Sequence, residues 1–461
     1  MLCQGVTKGR RYIDRIIEGG VSDPRLQSQY QYETDAMREL LETAGYDIVD
    51  FKERADVYII NTCSVTNMAD RKSRQMIHRA RKKNPDAVVV AAGCYVQAAE
   101  NELKEKGIAD VLIGNNKKKD IVRILEEYFQ KGEKTAEVLD ISCTNEYESL
   151  TIHKINEHTR AYIKIQDGCN QFCSYCIIPY TRGRIRSKQP EDVIREIRAL
   201  AREGYKEVVL TGIHLSSYGM DFPEENRTDL LAVIENVQKI DGIERIRLGS
   251  LEPRIITEEF AQGLKKCSKV CPHFHLSLQS GCDETLKRMN RKYTTEEYKK
   301  ALAILRDTFE HPALTTDVIV GFAGETEEEF EKTRAYLEEI NLYEMHIFKF
   351  SVRKGTRAER MPGQVPEDVK TKRSAVLLAM TERHKKDFEQ WYIGRKEKVL
   401  LEEMVEINGT KYMQGHTERY VKVVVNFDEN SEILRQNHIV AVKIQGFLDE
   451  NLLYGKVSIE F

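Results

Sequence analysis

The sequence predicts an α/β protein in three parts: an N-terminal doubly wound α/β domain, a central partial (β/α)6 barrel and a small all-β barrel at the C-terminal end. Three observations predict it. Short apolar runs alternate with amphipathic stretches from Gln31 to about Phe129, the same alternation returns from Ala161 to Phe350, and strand-like alternation with turn signals follows from Lys398. A chain of 461 residues also exceeds one ordinary core, so two or three domains are expected from length alone.

In the first part, residues 1–130, an amphipathic stretch from Glu33 to Ala44 precedes the β-rich run Val57-Tyr58-Ile59-Ile60. A helix from Ala69 to Lys83, the run Val88-Val89-Val90, a short helix near Ala98 and the strand Val111-Leu112-Ile113 follow. Helices between short apolar strands read as a parallel sheet covered on both faces. Met1 to Arg25 lacks a strand pattern, and the polar, mixed residues 131–155 read as a linker.

In the second part, residues 156–365, strands are expected near Tyr162–Ile165, Glu207–Thr211, Arg245–Gly249, His273–Gln279, Leu314–Gly321 and His346–Phe350. In such folds the reactive groups sit at the C-terminal strand ends. The residues there are polar or glycine: Asp167-Gly168-Cys169, Thr211-Gly212, Ser250 and Glu252, Gln279-Ser280-Gly281, and Gly321 to Glu325. A connecting helix spans 366–392, and turns at Asn408-Gly409 and Asp428 to Ser431 punctuate the β-barrel expected over 393–461.

A charged fraction of 31% and a hydrophobic fraction of 41% describe a soluble globular protein. No apolar run approaches the roughly 18 residues that span a bilayer, so no membrane segment is expected. The start, with Cys3, Lys8, Arg10 and Arg11, has no apolar core followed by a small-residue cleavage site, so a cytoplasmic protein is expected. Ten cysteines in such a chain point to metal ligands, redox groups or buried small hydrophobes before a disulfide framework. A net charge of −3 argues against coating nucleic acid through bulk charge and leaves local patches open.

Cys169, Cys173 and Cys176 stand as C-x3-C-x2-C in Asp167-Gly168-Cys169-Asn170-Gln171-Phe172-Cys173-Ser174-Tyr175-Cys176, just after the first barrel strand. Three thiolates in one loop suit an iron–sulfur cluster with one iron left open, a zinc site, or unligated thiols. No fourth Cys or His follows closely, as a structural zinc would want.

This loop at the head of repeated strand–helix units resembles the radical S-adenosylmethionine (SAM) enzymes. With Ile177-Ile178-Pro179-Tyr180-Thr181-Arg182-Gly183-Arg184 after it, the string is similar to the methylthiotransferases of that superfamily. The resemblance extends over nearly the whole chain. It implies an N-terminal methylthiotransferase domain, a radical SAM barrel and an RNA-binding TRAM barrel, with Cys169, Cys173 and Cys176 as catalytic ligands of a [4Fe-4S] cluster. The open iron of that cluster would chelate SAM, and one electron would release a 5′-deoxyadenosyl radical. Asn61-Thr62-Cys63-Ser64-Val65-Thr66 and Gln166-Asp167-Gly168-Cys169 lie nearest the branch acting on N6-threonylcarbamoyladenosine. The implied partners are tRNA carrying that nucleoside and an electron donor such as flavodoxin or ferredoxin. The alternatives are isopentenyladenosine in tRNA, a ribosomal protein as substrate, and a non-catalytic RNA-binding relic.

The resemblance also implies a second [4Fe-4S] cluster on three N-terminal cysteines. Cys63 and Cys94 match two of them. Where the family has Gly-Cys-x-x-Asn-Gln-Tyr-Glu-Thr after an opening strand, this chain has Leu26-Gln27-Ser28-Gln29-Tyr30-Gln31-Tyr32-Glu33-Thr34, so Gln27 stands in place of Cys and Cys3 is the only thiol upstream.

Strand-end residues Gly212, Ser250, Glu252, Gln279, Asp317, Gly321 and Arg353 are the candidates to bind SAM. For RNA the candidates are Arg182, Arg184, Arg186 and Lys188 after the cysteine loop, and His416, Arg419, Tyr420 and Lys422 in the β-barrel. The basic run Arg71 to Lys83 reads as a solvated helix face, and Cys143, Cys267, Cys271 and Cys282 lie outside both cysteine sites, Cys267 and Cys271 being read as packing residues.

Overall fold

The computed structural model describes residues 12–14, 17–19, 24–51, 53–153 and 159–458. They form two compact units. The first is Met1–Lys154 with Gln166–Lys188 and Ser351–Glu359; the second is Ile155–Ile165 with Gln189–Phe350 and Arg360–Phe461. The cysteine loop, assigned from sequence to the barrel domain, therefore packs in the first unit.

The first unit holds a seven-stranded sheet: β1 Tyr12–Asp14, β2 Ile17–Gly19, β3 Asp47–Val49, β4 Val57–Thr62, β5 Val88–Gly93, β6 Val111–Ile113 and β7 Thr135–Glu137. The order is β3-β1-β4-β5-β6-β7, β2 also pairs with β4, and every pairing is parallel. Helices α1 Pro24–Thr43, α2 Asn67–Lys83, α3 Cys94–Lys106 and α4 Ile121–Lys131 connect the strands. Strand side chains alternate between faces. Val57, Ile59, Val90 and Ile113 pack on Met37 and Leu41 of α1 and Ile124 and Leu125 of α4. Tyr58, Ile60, Val89 and Ala91 pack on Ile77 and Ala80 of α2 and Leu103 of α3. The domain is doubly wound, as its pattern predicts.

Two expectations are corrected here. The segment Met1 to Arg25 does contribute strands: Ile17 to Gly19 align beside Ile60 to Thr62, and Tyr12 to Asp14 beside Asp47 to Val49. The expected linker is partly built structure, because β7 closes the sheet edge against β6 and Ile141, Leu150 and Ile152 are buried. Cys3 lies outside the described residues.

In the second unit β8 Arg160–Asp167 opens the barrel, its last two residues reaching the first unit, where α5 Ile178–Thr181 and β9 Arg186–Ser187 also lie. Then come α6 Pro190–Arg202, β10 Glu207–Gly212, α7 Leu230–Val237, β11 Arg245–Leu248, α8 Glu258–Lys266, β12 His273–His275, α9 Asp283–Arg288, α10 Thr295–Thr308, β13 Ala313–Val320, α11 Glu327–Ile340 and β14 Glu344–Lys349. The sheets β11-β10-β8-β9 and β12-β13-β14 meet through the parallel bridges Ile246 to Val270 and Leu251 to Leu276. Six successive strands thus curve into a partial barrel. The strand expected to reach Gln279 stops at His275, and Gln279 takes φ +75°.

Helix α12 Glu367–Gln390 leads into a closed barrel of β15 Lys396–Ile407, β16 Thr410–Thr417, β17 Lys422–Asn426, β18 Ile439–Asp449 and β19 Leu452–Val457, in the order β15-β16-β17-β19-β18. Gly415 is required where β16 crosses β15, since a Cβ there would stand 2.0 Å from the Leu400 carbonyl oxygen. A bulge between Leu401 and Glu403 leaves Glu402 as the extra residue and turns it toward Arg160.

Candidate active site

β8 runs straight into the cysteine loop. Gly168 has φ +71°, and a Cβ on it would lie 1.8 Å from the Arg184 carbonyl oxygen, so only glycine fits. The Asp167 carboxylate accepts from the Gly168 amide at 2.8 Å, and the Gln166 side-chain amide donates to the carbonyls of Asp167 and Gly168, both at 2.8 Å. Cys169 N–H donates to Gly183 O at 3.1 Å and Cys176 N–H to Cys173 O at 3.0 Å. The loop is thus pinned at both ends. Its three cysteines are half-buried and outside any disulfide. Among the described residues no three His, Cys, Asp or Glu side chains gather tightly enough to hold a metal ion, so the ligand reading rests on donor chemistry and loop geometry.

Beneath the loop lies a buried chain of charges. Arg182 donates to Glu33 at 2.7 Å and to both Asp167 oxygens at 3.2 Å. Lys118 pairs with the other Glu33 oxygen and donates to Asn115 Oδ1 at 3.1 Å. Asn115 Nδ2 in turn donates to Thr181 O at 2.6 Å and to Cys94 Sγ at 3.4 Å. The cysteine loop and Cys94 are therefore joined through hydrogen-bonded side chains. In the sequence Glu33 and Asp167 stand only within motif strings, and nothing in their spacing announces the pairing.

Cys63 and Cys94 follow the paired residues Thr62 and Gly93 at the ends of β4 and β5, which sets them side by side. They share one buried cluster with Tyr30 and Ala69. Burial, then the charge of Cys94, pushes the Cys63 thiol up to about 11. Burial likewise raises Tyr30, with both cysteines adding to it. Both ends of the Gln29 amide are buried without hydrogen-bond partners, and the Tyr30 hydroxyl faces the Cys63 thiol. Gln27, in the expected third ligand position, falls in the first turn of α1. Two thiols and a phenol therefore meet in this buried cluster, which does not amount to the three-thiolate set of a [4Fe-4S] cluster.

Of the expected SAM residues, Gly212 ends β10, and Ser250 and Glu252 follow β11. Ser250 Oγ is buried with no hydrogen-bond partner, an open polar group at a strand end. Glu252 lies 2.6 Å from Arg254 and 3.9 Å from His214, whose imidazole burial holds down at about 4. Asp317 sits inside β13 and faces His275 at 3.2 Å. The Gln279 amide donates to Asp317 O at 2.8 Å. Gly321 has φ +71°, and a Cβ there would meet Lys370 Cγ at 2.3 Å, so it is a turn glycine filled from α12. Arg353 belongs to the first unit, as the cysteine loop does, and there it pairs with Asp70 and donates to Ser64 beside Cys63.

The RNA expectations are corrected further. Arg182, Arg186 and Lys188 are buried, with Arg186 donating to Arg182 O at 2.7 Å and Lys188 to Leu150 O at 3.2 Å, so phosphates cannot reach them. Arg184 alone of that group is exposed. In the second unit, the His416 ring donates to the Glu402 carboxylate at 2.8 Å and stacks on Tyr420 with ring centres 4.6 Å apart. Arg419 donates to His311 O at 3.0 Å. Tyr420 is held between the guanidinium groups of Arg160 and Arg247, 4.7 and 4.9 Å from its ring. These three seam the small barrel to the partial barrel, and only Lys422 is exposed. Cys267 and Cys271 are buried.

Residues 163–337 match the radical SAM superfamily, and residues 28–114 match the uncharacterized protein family UPF0004. The chain is 40% identical over 400 residues to the threonylcarbamoyladenosine tRNA methylthiotransferase MtaB of Bacillus subtilis, covering 87% of this chain and 88% of that one. It is 38% identical to MtaB of Aquifex aeolicus, over 85% of this chain and 95% of that one. It is 34% identical to a tRNA-2-methylthio-N(6)-dimethylallyladenosine synthase of Clostridium botulinum, over 90% and 92%. Among solved structures, the radical SAM methyltransferase TsrM of Kitasatospora setae shares the fold, with a TM-score of 0.55 and 14% identity over 74% of this chain and 72% of that one. The strand-end cysteine loop, the partial barrel and these relatives agree, and the chain belongs to the radical SAM methylthiotransferase family.

Proposed function

We propose that this chain adds a methylthio group to C2 of N6-threonylcarbamoyladenosine in tRNA. The observation that carries this reading is the 37–40% identity to threonylcarbamoyladenosine tRNA methylthiotransferases over 85–87% of the chain, against 33–35% for the dimethylallyladenosine enzymes. Cys169, Cys173 and Cys176 fit a [4Fe-4S] cluster: three half-buried thiols on one pinned loop, with no fourth Cys or His following closely in the sequence. When bound, such a cluster and SAM supply one-electron cleavage of a carbon–sulfur bond and hence a carbon radical. The protein's part is positional. Gly168 and the Asp167–Arg182 contact fix the loop on which the three thiols stand.

The reading implies a cytoplasmic protein, supplied with electrons by a donor such as flavodoxin or ferredoxin, whose C-terminal barrel is a TRAM-type module. No helix among the described residues is long and apolar enough to cross a membrane. Gln27 in the third N-terminal ligand position favours one second reading, a chain that binds RNA without completing the transfer. Mass spectrometry of tRNA nucleosides, with this gene expressed in a host lacking its own enzyme, separates the two. The methylthio form appears in the first case, and an unchanged profile defeats it.

A further inference from the structure

Three of the four cationic side chains after the cysteine loop point inward, and the fourth does not. Arg184 is exposed, no carboxylate among the described residues pairs with it, and its guanidinium lies 4.6 Å from the Phe172 ring centre. Phe172 sits between Cys169 and Cys173 with φ +50°, a left-handed backbone that bulky residues rarely adopt and that here holds the ring at its place on the loop. Tyr180 packs edge-on against Phe172 with ring centres 5.8 Å apart. Tyr180 is 53% exposed, the only aromatic among the exposed large apolar side chains of the described residues. One exposed tyrosine is ordinary on a protein surface; this one adjoins a second ring that carries an exposed guanidinium, and the three together make a surface patch.

We propose that Tyr180, Phe172 and Arg184 form a platform on the cysteine loop that stacks an unpaired base of the RNA substrate. This rests on the RNA-methylthiolation reading above and names the residues that would hold the RNA there. Aromatic faces beside a free guanidinium are the combination that binds single-stranded nucleic acid without base-specific hydrogen bonds. The platform is rigid before any RNA arrives. Tyr180 N–H donates to Ile177 O at 3.0 Å, Cys169 N–H to Gly183 O at 3.1 Å, and Ile185 N–H to the Asn170 side chain at 3.4 Å. Stacking there costs little ordering entropy. Because Phe172 lies inside the cysteine motif, a base stacked on this surface is held beside the three thiols.

The test uses the full chain with its first cluster reconstituted and a synthetic anticodon stem-loop RNA carrying 2-aminopurine in its loop. Binding to the parent should change the 2-aminopurine emission. Tyr180→Ala should weaken binding about five- to hundredfold and abolish that change, while Tyr180→Phe keeps both. Arg184→Ala should weaken binding and flatten its salt dependence. Cluster absorbance equal to the parent's shows that each variant's loop is formed. If Tyr180→Ala binds as the parent does, or Tyr180→Phe loses as much as Tyr180→Ala, the platform is wrong and the substrate reading stands. If the cluster-loaded parent does not bind the stem-loop, the substrate reading itself falls.

Discussion

Glu33 and Arg182, 149 positions apart in the chain, meet as a fully buried ion pair at 2.7 Å. The pair ties α1 to the segment that follows the cysteine loop. Arg182 donates to both Glu33 oxygens, at 2.7 and 3.3 Å, and Lys118 pairs with the more distant of the two. Buried charges of this kind are costly to leave unpaired. Glu33→Gln should therefore destabilise the first unit by about 3–5 kcal/mol, because Arg182 and Lys118 would share one carboxylate fewer. Urea unfolding of parent and variant measures it. A loss under about 1 kcal/mol, the size of a surface pair, would show that the network is not closed in solution.

Gly168→Ala should abolish cluster absorbance while the protein stays folded, since its Cβ would collide with the Arg184 carbonyl and the loop must open. Gly132 makes the control. It also has positive φ, at +69°, but nothing lies within 4 Å of the Cβ position, so Gly132→Ala should cost about 1–2 kcal/mol and leave the absorbance alone. Equal spectra for the two variants would contradict the account of the loop.

Glu207 faces three arginines: Arg247 at 2.7 Å, Arg160 at 3.1 Å and Arg245 at 3.5 Å. Burial alone would raise its carboxyl, but Arg247 and then Arg160 and Arg245 outweigh that and hold it at about 2. The same arginines donate to carbonyls of the small barrel, Arg247 to Thr417 O at 2.8 Å and Arg245 to Lys398 O at 2.7 Å. Glu207→Gln should cost about 3–5 kcal/mol at neutral pH. A depressed acid stabilises above its unfolded value, so the parent's advantage should shrink as pH falls from about 4 toward about 2. Thermal unfolding across that range checks both size and sign.

The sheets of both units were legible because apolar runs such as Val57 to Ile60 and Val88 to Val90 are buried on both faces and carry their own signal. β1 and β2 were not, since each is three residues long and set among charged neighbours. The cysteine loop was legible because spacing is chemistry there. The arginines were not, because a sequence shows a charge without its partner: Arg182 and Arg186 read as a phosphate grip until Glu33 and Asp167 come into view. His416 and Tyr420 misled likewise, their true neighbours Arg160 and Arg247 lying far away in sequence.

The N-terminal domain offers Cys63 and Cys94 but has Gln27 where a third thiol is expected. Anaerobic reconstitution of the full chain should therefore give about four tightly held irons, against about eight for two complete clusters. Cys63→Ala should leave that count unchanged. A parent with about eight irons, half of them lost in Cys63→Ala, would mean that another group completes the site.

The central claim is that Cys169, Cys173 and Cys176 together hold the cluster that cleaves SAM, and Cys173→Ala tests it most directly. Two thiols on this loop should not retain a cluster with one open iron, so 5′-deoxyadenosine formed from SAM under strong reductant should fall to background together with the loop's iron. Parent-level 5′-deoxyadenosine from the Cys173→Ala protein would contradict the assignment of this loop as the reaction centre.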